Sequence, residues 1–576
     1  MSSASRNIGF AGLGAMGFGM ASNLLKARFH VYGLDVNPKA LADFGDLPGA
    51  TSAATVRDAS TNQEKFFVMV ATPEQVDSLV FGEDGLADTL PRATILCVLS
   101  TLPPDYLGSL GGRLRQRGRS DIRLVDCPVS GGVVGANAGS LSIMMGGDMD
   151  TLRQIEPELK AISAPGRTFH CGPLGSASTI KMLNQHLAGI HIATAAEALN
   201  FAKVLGLSSR EAYRVLMDSE AASWIMGDRG ISMLNADWSP KSCVTIFTKD
   251  MGIVNDAAES LSFPCPIASV AHQAFVERAA RGHGRDDDSS VVCNYEGITG
   301  KVVAEVQDCK AVHLSVKPTA EASAITFFAQ DEMPYLKNLK SVVPCNTGNL
   351  SSRLDSLPDG SIVGLIGLDD QYGHLALSSK YPGIRFVDCQ VVNSHDFESV
   401  QVLFSAQDAD IMSTMQVVFP PEIKLVPVDG PFGAASAMFL VIRLASLIHI
   451  AAAAECLSLA AASGVSTQLV YDLIAGAAGS SAQFRHGVPK MQKGDFGVSG
   501  LQMGGSFSNA MKELRSLRTT QLRLGFPGRL TEAAYQIFKG VNRGLGDGNN
   551  ISTAAIVKFW GPADLNKERS SAEAKL

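Results

Sequence analysis

The sequence has no C-x-x-C pair; its ten cysteines are scattered from Cys97 to Cys456 with no ligand-like clustering with histidine. No metal site is therefore expected, and a reducing compartment is the natural setting. A polybasic run is also missing: net charge is -7 with acidic and basic residues interspersed. That excludes a nucleic-acid footprint and a charged membrane patch, and leaves a small molecule as the expected partner. Charged residues are only 18% against 46% hydrophobic, which excludes a disordered chain and provides for substantial cores. The N-terminus MSSASRNIGF enters a strand-like run at once, with no room for a secretory leader. One apolar stretch, Ala437 to about Ala462, is long enough to span a bilayer, but Arg443, His449 and Glu455 interrupt it, so a helix buried in a soluble protein is expected. At 576 residues the chain exceeds what one core supports, and three or four domains are expected.

What is present begins at the N-terminus. Asn7 to Ala11 reads as a buried strand, followed by Gly12-Leu13-Gly14-Ala15-Met16-Gly17 and a helical pattern through Leu25. This is G-x-G-x-x-G between strand and helix: Gly12 allows the tight turn, Gly14 lets backbone approach a pyrophosphate, and Gly17 allows close helix-on-strand packing. A second strand, His30 to Leu34, ends in Asp35, the acidic residue that ribose hydroxyls need. A carboxylate there repels a 2'-phosphate, so NAD is favoured over NADP. Further strands run Phe66 to Val70 and Ile95 to Leu99. Their following turns, with Thr72-Pro73 and Ser100-Thr101, lie where strand C-termini meet the ligand crevice, and count with Asp250 among the cofactor-binding candidates.

Val125-Asp126-Cys127-Pro128-Val129 leads into Ser130-Gly131-Gly132, whose backbone N–H groups make a nest for a carboxylate, although turn chemistry alone also accounts for the glycines. After Gly172-Pro173-Leu174-Gly175 a long apolar helix carries Lys181, Asn184 and Gln185 on one face. A lysine on so apolar an element is rarely a packing residue. His191 reads as a core histidine, and Trp224 either walls a pocket or packs.

On these motifs, joined by the later Phe247-Thr248-Lys249-Asp250, residues 6 to about 298 resemble the beta-hydroxyacid dehydrogenases, which include 3-hydroxyisobutyrate and 6-phosphogluconate dehydrogenases. The resemblance implies a Rossmann-like α/β domain followed by an all-α domain. It also implies Lys181 as acid/base, with Asn184 and Gln185 orienting the substrate hydroxyl, Ser130 to Gly132 on the substrate carboxylate, and Lys249 lining both substrate and cofactor. Many family members have asparagine where this chain has Gln185. Lys181 through Gln185, Ala188 to Ala193, Ser223-Trp224 and Ser239-Pro240-Lys241-Ser242 resemble the L-threonate dehydrogenase branch. Oxidation of a small hydroxy acid with NAD is the expected activity. An aldehyde or imine reductase on the same fold, for which Asp35 and the carboxylate nest are poor fits, and a non-catalytic NAD-binding scaffold are the alternatives.

The chain then repeats itself. Phe386-Val387-Asp388-Cys389-Gln390-Val391 echoes residues 124–129, Gly430-Pro431-Phe432-Gly433 echoes residues 172–175, and Ile448-His449-Ile450-Ala451 echoes residues 190–193. The copy lacks the chemistry: Phe439 stands for Lys181, Ile442 and Arg443 for Asn184 and Gln185, Val392-Asn393-Ser394 for Ser130 to Gly132, and Asn509 for Lys249. No Gly-rich turn precedes it, and Ala311 to Val316 with Lys317-Pro318 is expected to match the strand at Phe66. The expected domains are 1–170 (NAD-binding), 171–298 (helical, catalytic), 299–428 (truncated Rossmann-like), 429–562 (second helical) and a polar tail 563–576. The copy is expected to complete the active half as an intramolecular pseudo-dimer, with further homo-oligomerisation open. The ending Ala574-Lys575-Leu576 nearly matches a peroxisomal address, leaving cytoplasm or peroxisome as the expected location.

Overall fold

The computed structural model describes residues 6–305, 326–329, 342–344, 350–359, 361–366, 377–406, 415, 419, 423–498, 506–545 and 548–561. Over residues 7–172 short apolar strands alternate with helices. The strands are β1 (Asn7–Ala11), β2 (His30–Leu34), β3 (Ala50–Ser52), β4 (Lys65–Val68), β5 (Ile95–Val98), β6 (Arg123–Asp126), β7 (Val129–Ser130), β8 (Leu141–Gly146) and β9 (Ser163–Gly172). They form one sheet in the order β3-β2-β1-β4-β5-β6-β8-β7, with β9 joined to β8. β1 to β6 are parallel, and β5 is buried along its whole length, as a strand covered on both faces must be. Chain order reverses between β1 and β4, which opens a crevice at the Gly-rich turn leading into α1 (Gly17–Lys26).

Gly172 and Gly175, at φ 116° and 93°, turn the chain out of the sheet into α2 (Ser176–Val204). Every residue of α2 from Ala177 to Ala202 is buried. Around it pack α3 (Ser209–Asp218), α4 (Trp224–Asn235), α5 (Val244–Ser260) and α6 (Pro266–Arg278). One anchor joins sheet to helix: buried Asp126, at the end of β6, accepts from Ser178 N and Ser178 Oγ, both at 2.7 Å.

The second half repeats this plan. Strands β10 (Thr326–Ala329), β11 (Val342–Pro344), β12 (Ile362–Ile366), β13 (Arg385–Asn393), β14 (Val400–Ala406) and β15 (Lys424–Pro427) form a sheet in the order β11-β10-β12-β13-β14-β15. β13 runs antiparallel to β14 and β14 parallel to β15, which reproduces the relation of β6 and β7 to β8 and of β8 to β9. The strand beside β12, in the place β4 holds beside β5, is Thr326–Ala329; the expected counterpart, Ala311 to Val316, lies outside the described residues, as does the tail 563–576. Helices α7 (Ala434–Ala462), α8 (Thr467–Ile474), α9 (Ala482–Lys493), α10 (Phe507–Arg523) and α11 (Arg529–Asn542) follow. Residues 176–235 and 434–493 correspond end to end without a gap. Asp388 again anchors a helix start, accepting from Ser436 N and Ser436 Oγ.

The two long helices pack on each other, and the helical layers share one continuous hydrophobic core. His191 and His449, at equivalent positions, meet edge to face with ring centroids 4.3 Å apart, both buried and without hydrogen-bond partners among the described residues. Trp224 N donates to Ser480 O and Ala482 N to Ala222 O, a reciprocal pair that gives the packing approximate twofold symmetry. Among the described residues α7 is the one helix long and apolar enough to cross a membrane, and it is wholly buried here.

Candidate active site

The cofactor side is built at the crevice. Gly12 has φ 94°, and a Cβ there would fall 2.1 Å from Met69 O, so no other residue type fits. A Cβ on Gly14 would meet nothing within 4 Å, which leaves the backbone open to approach. α1 starts without a side-chain cap, so its first-turn N–H groups and dipole suit an anion. Asp35 holds the Gly-rich turn through Leu13 N at 2.6 Å and its own loop through Asn37 N at 2.7 Å. Each carboxylate oxygen accepts more than one bond, so these contacts orient Asp35 without exhausting it. Thr72 and Pro73 form the N-cap and first turn of helix Pro73–Phe81, with Gln75 closing the capping box. The Ser100 hydroxyl is buried and accepts from Val70 N at 2.9 Å. Ser100 thereby ties two strand-end loops together.

The substrate side joins α2 to the sheet. Gly131 and Gly132, at φ 136° and 60°, adopt backbone shapes that side chains resist, just beyond Ser130. One turn past the Asp126 anchor lies Lys181, whose Nζ donates to Gln185 Oε1 at 2.9 Å. Burial pulls its pKa down to about 8; Asp250 pushes it back up and the Lys249 cation pulls it down. Gln185 Nε2 donates to Asp250 Oδ2 at 2.7 Å, Asp250 pairs with Lys249 at 3.0 Å, and Lys249 Nζ donates to Thr101 O at 3.0 Å. The expected lysine, amide and second lysine thus form one connected group with the crevice loops.

Asn184 joins the same group from behind. Fully buried, it donates through Nδ2 to Gln185 Oε1 at 3.1 Å, and its Oδ1 accepts from Gly479 N at 3.1 Å. It backs Gln185, the other amide expected at the substrate hydroxyl. Trp224 is 49% exposed, so it is not a core packing residue, whereas His191 lies in the core as expected. Asp126 and Gly479 were not singled out from sequence; the repeat of Asp126-Cys127 as Asp388-Cys389 was the available signal for the first.

The second half has a different centre. Arg443, where Gln185 stands in the first half, is buried in a triad with Glu220 and Glu513, and Asn393 donates to the same Glu220. Asn509, expected in place of Lys249, lies in the first turn of α10. The two 17-residue helices α5 and α10 correspond from their first residues, which puts Lys512 and Glu513 opposite Lys249 and Asp250. Folding also brings together a group that sequence spacing hides: His186, Cys265 and Glu455 offer atoms within 4.8 Å of one another. Glu455 there accepts from Ile267 N and Ala268 N, as a helix cap does.

Comparison with known proteins agrees with this architecture. The family described as the NAD binding domain of 6-phosphogluconate dehydrogenase matches residues 7–172. The one described as the NAD-binding of NADP-dependent 3-hydroxyisobutyrate dehydrogenase matches residues 175–295 and again 433–559. An L-threonate dehydrogenase of Cupriavidus necator is 36% identical over 51% of this chain and 97% of its own length. The NAD-dependent L-serine dehydrogenase of Pseudomonas aeruginosa is 29% identical over 50% of this chain and 96% of its own. The solved 3-hydroxyisobutyrate dehydrogenase from Salmonella typhimurium is 32% identical, with a TM-score of 0.46 over 50% of this chain and 99% of that one. Fold, site and relatives together define an NAD(P)-dependent dehydrogenase acting on the CH-OH group of its donor. The chain belongs to the beta-hydroxyacid dehydrogenase family and carries a second copy of the family's helical domain.

Proposed function

We propose that the first half oxidises a small threonate-like or 3-hydroxyisobutyrate-like hydroxy acid with NAD, using Lys181 as the general base. The observation that carries this is the Lys181 amine: buried, pulled down to about 8, and fixed on Gln185 beside Lys249. Gly12 to Gly17, the uncapped start of α1 and Asp35 fit a dinucleotide, and Asp35 favours NAD over NADP. When bound, that cofactor supplies the hydride acceptor. Lys181, neutral, takes the hydroxyl proton while the carbinol hydrogen leaves with its electron pair and the C=O bond forms. Ser130 to Gly132 receive the substrate carboxylate, and burial, aided by the Lys249 charge, lowers the Lys181 amine to about 8, so that a neutral fraction is present near that pH. Asp250 holds Gln185 and Lys249 in place.

The second half, with Phe439 in place of Lys181, serves as a built-in packing partner, which makes the chain an intramolecular pseudo-dimer. The shared core and the reciprocal contacts between Trp224, Ser480, Ala482 and Ala222 support that reading. The test is a panel of four-carbon sugar acids, L-serine and 3-hydroxyisobutyrate assayed with NAD and with NADP. Turnover of a hydroxy acid with NAD is expected; turnover confined to aldehydes or imines, or none, would sink the proposal.

A further inference from the structure

The two halves obey their approximate symmetry at several reciprocal contacts, and Gly479 marks a place where they break it. Gly479 N donates to Asn184 Oδ1, a bond from the second half into the group that holds Lys181. The equivalent pair on the other side is Ala221 and Ile442, which cannot make it, and there Phe439 occupies the lysine position. The bond is therefore found only on the side that carries the amine.

Gly479 is not required by backbone conformation, since its φ lies outside the left-handed region. Proximity favours it: a Cβ would sit 3.0 Å from Asn184 O, 3.1 Å from Leu187 Cβ and 3.1 Å from Ile474 Cγ2, so these neighbours would have to give way by a few tenths of an ångström. At Ala221, where no amide has to be held, the methyl is present and buried. With Oδ1 turned to Gly479, the Asn184 amide must direct Nδ2 at Gln185 Oε1. Gln185 Oε1 then accepts from both Asn184 and Lys181, while its Nε2 is held by Asp250. The hydrogen bonds run unbroken from Gly479 to the amine.

We propose that Gly479 is a positioning residue for the first half's active site: its N–H orients Asn184, which fixes Gln185 and so the Lys181 amine. This rests on the reading of Lys181 as acid/base. Gln185 Oε1 accepts from the ammonium form, so its displacement disfavours that form and moves the acid limb of kcat to lower pH, while the misplaced amine slows turnover.

The experiment uses the full chain. Gly479→Ala is expected to lower kcat about tenfold and move the acid limb of the kcat-pH profile down, with NADH binding, read by fluorescence, unchanged. Combined with Asn184→Leu it should cost no more than Asn184→Leu alone, because both act through one chain of bonds. Ala221→Gly, the equivalent change on the other side, should leave both readouts at wild type. Wild-type kcat and acid limb in Gly479→Ala, or additive losses in the double variant, would overturn the proposal. If Gly479→Ala does not fold, Asn184→Leu decides by the same two readouts, and wild-type values overturn it. Lys181→Met separates the two readings. Retained turnover there removes the acid/base role itself, whereas lost turnover with a silent Gly479→Ala removes only the positioning role.

Discussion

Glu197 in α2 and Glu455 in α7 occupy equivalent positions, and each caps a helix of the other half. Glu197 accepts from Leu530 N, Thr531 N, Thr531 Oγ and Tyr295 OH, while Glu455 accepts from Ile267 N, Ala268 N, His186 Nε2 and Cys265 Sγ. Each buried carboxylate thus satisfies N–H groups at the start of α11 or α6 and ties the halves together.

Glu197→Ala should therefore destabilise the whole chain. At about 1 kcal/mol for each of the buried bonds left open, the loss is on the order of 4 kcal/mol. Denaturant unfolding measures it, and an unchanged midpoint would show that the cap carries no stability.

The same packing predicts the behaviour of a severed chain. Residues 1–298 alone expose the face of α2 that now packs on α7, so the fragment should aggregate, dimerise or lose most activity. Adding residues 299–576 in trans should restore part of it. A soluble, monomeric fragment with full turnover would show that the first half needs no partner.

Lys181→Met keeps much of the stem volume and removes the titrating amine. Turnover should fall about 10²-fold or more while dinucleotide binding survives. In the native enzyme oxidation needs the neutral amine, so its rate should rise with pH through about 8. Reduction needs the ammonium and should decline over the same range. An oxidation rate flat across that range would remove Lys181 as the base.

Asp35→Ser tests cofactor choice. Loss of the carboxylate that repels a 2'-phosphate should lower the ratio of kcat/KM for NAD over NADP by about tenfold. An unchanged ratio would mean that Asp35 only braces the Gly-rich turn through Leu13 N.

The Gly-rich turn, Asp35 and the start of α2 were legible because each is a local pattern of strand, turn and helix. Lys181 and Gln185 were legible because helical spacing puts them on one face. The Asp126 anchor and the Gly479 bond were not, since each joins segments far apart in sequence and leaves no periodicity. Asn184 shows the limit of face arguments: it shares a face with Lys181, yet tertiary packing covers it with Gly479. Asn509 was matched to Lys249 by counting through an irregular stretch, which loses register; the helix starts restore it and put Lys512 there.

In a symmetric dimer every substitution is made twice, so a change that suits one active site is imposed on the other. Here the residues about the His191–His449 contact are encoded separately. Asn184 and Gly479 stand on one side and Ile442 and Ala221 on the other, a pair of choices no self-associating single copy could hold at once. Arg443 with Glu220 and Glu513 belongs to the same freedom: the position that holds Gln185 beside the amine in one half holds a buried ionic triad in the other.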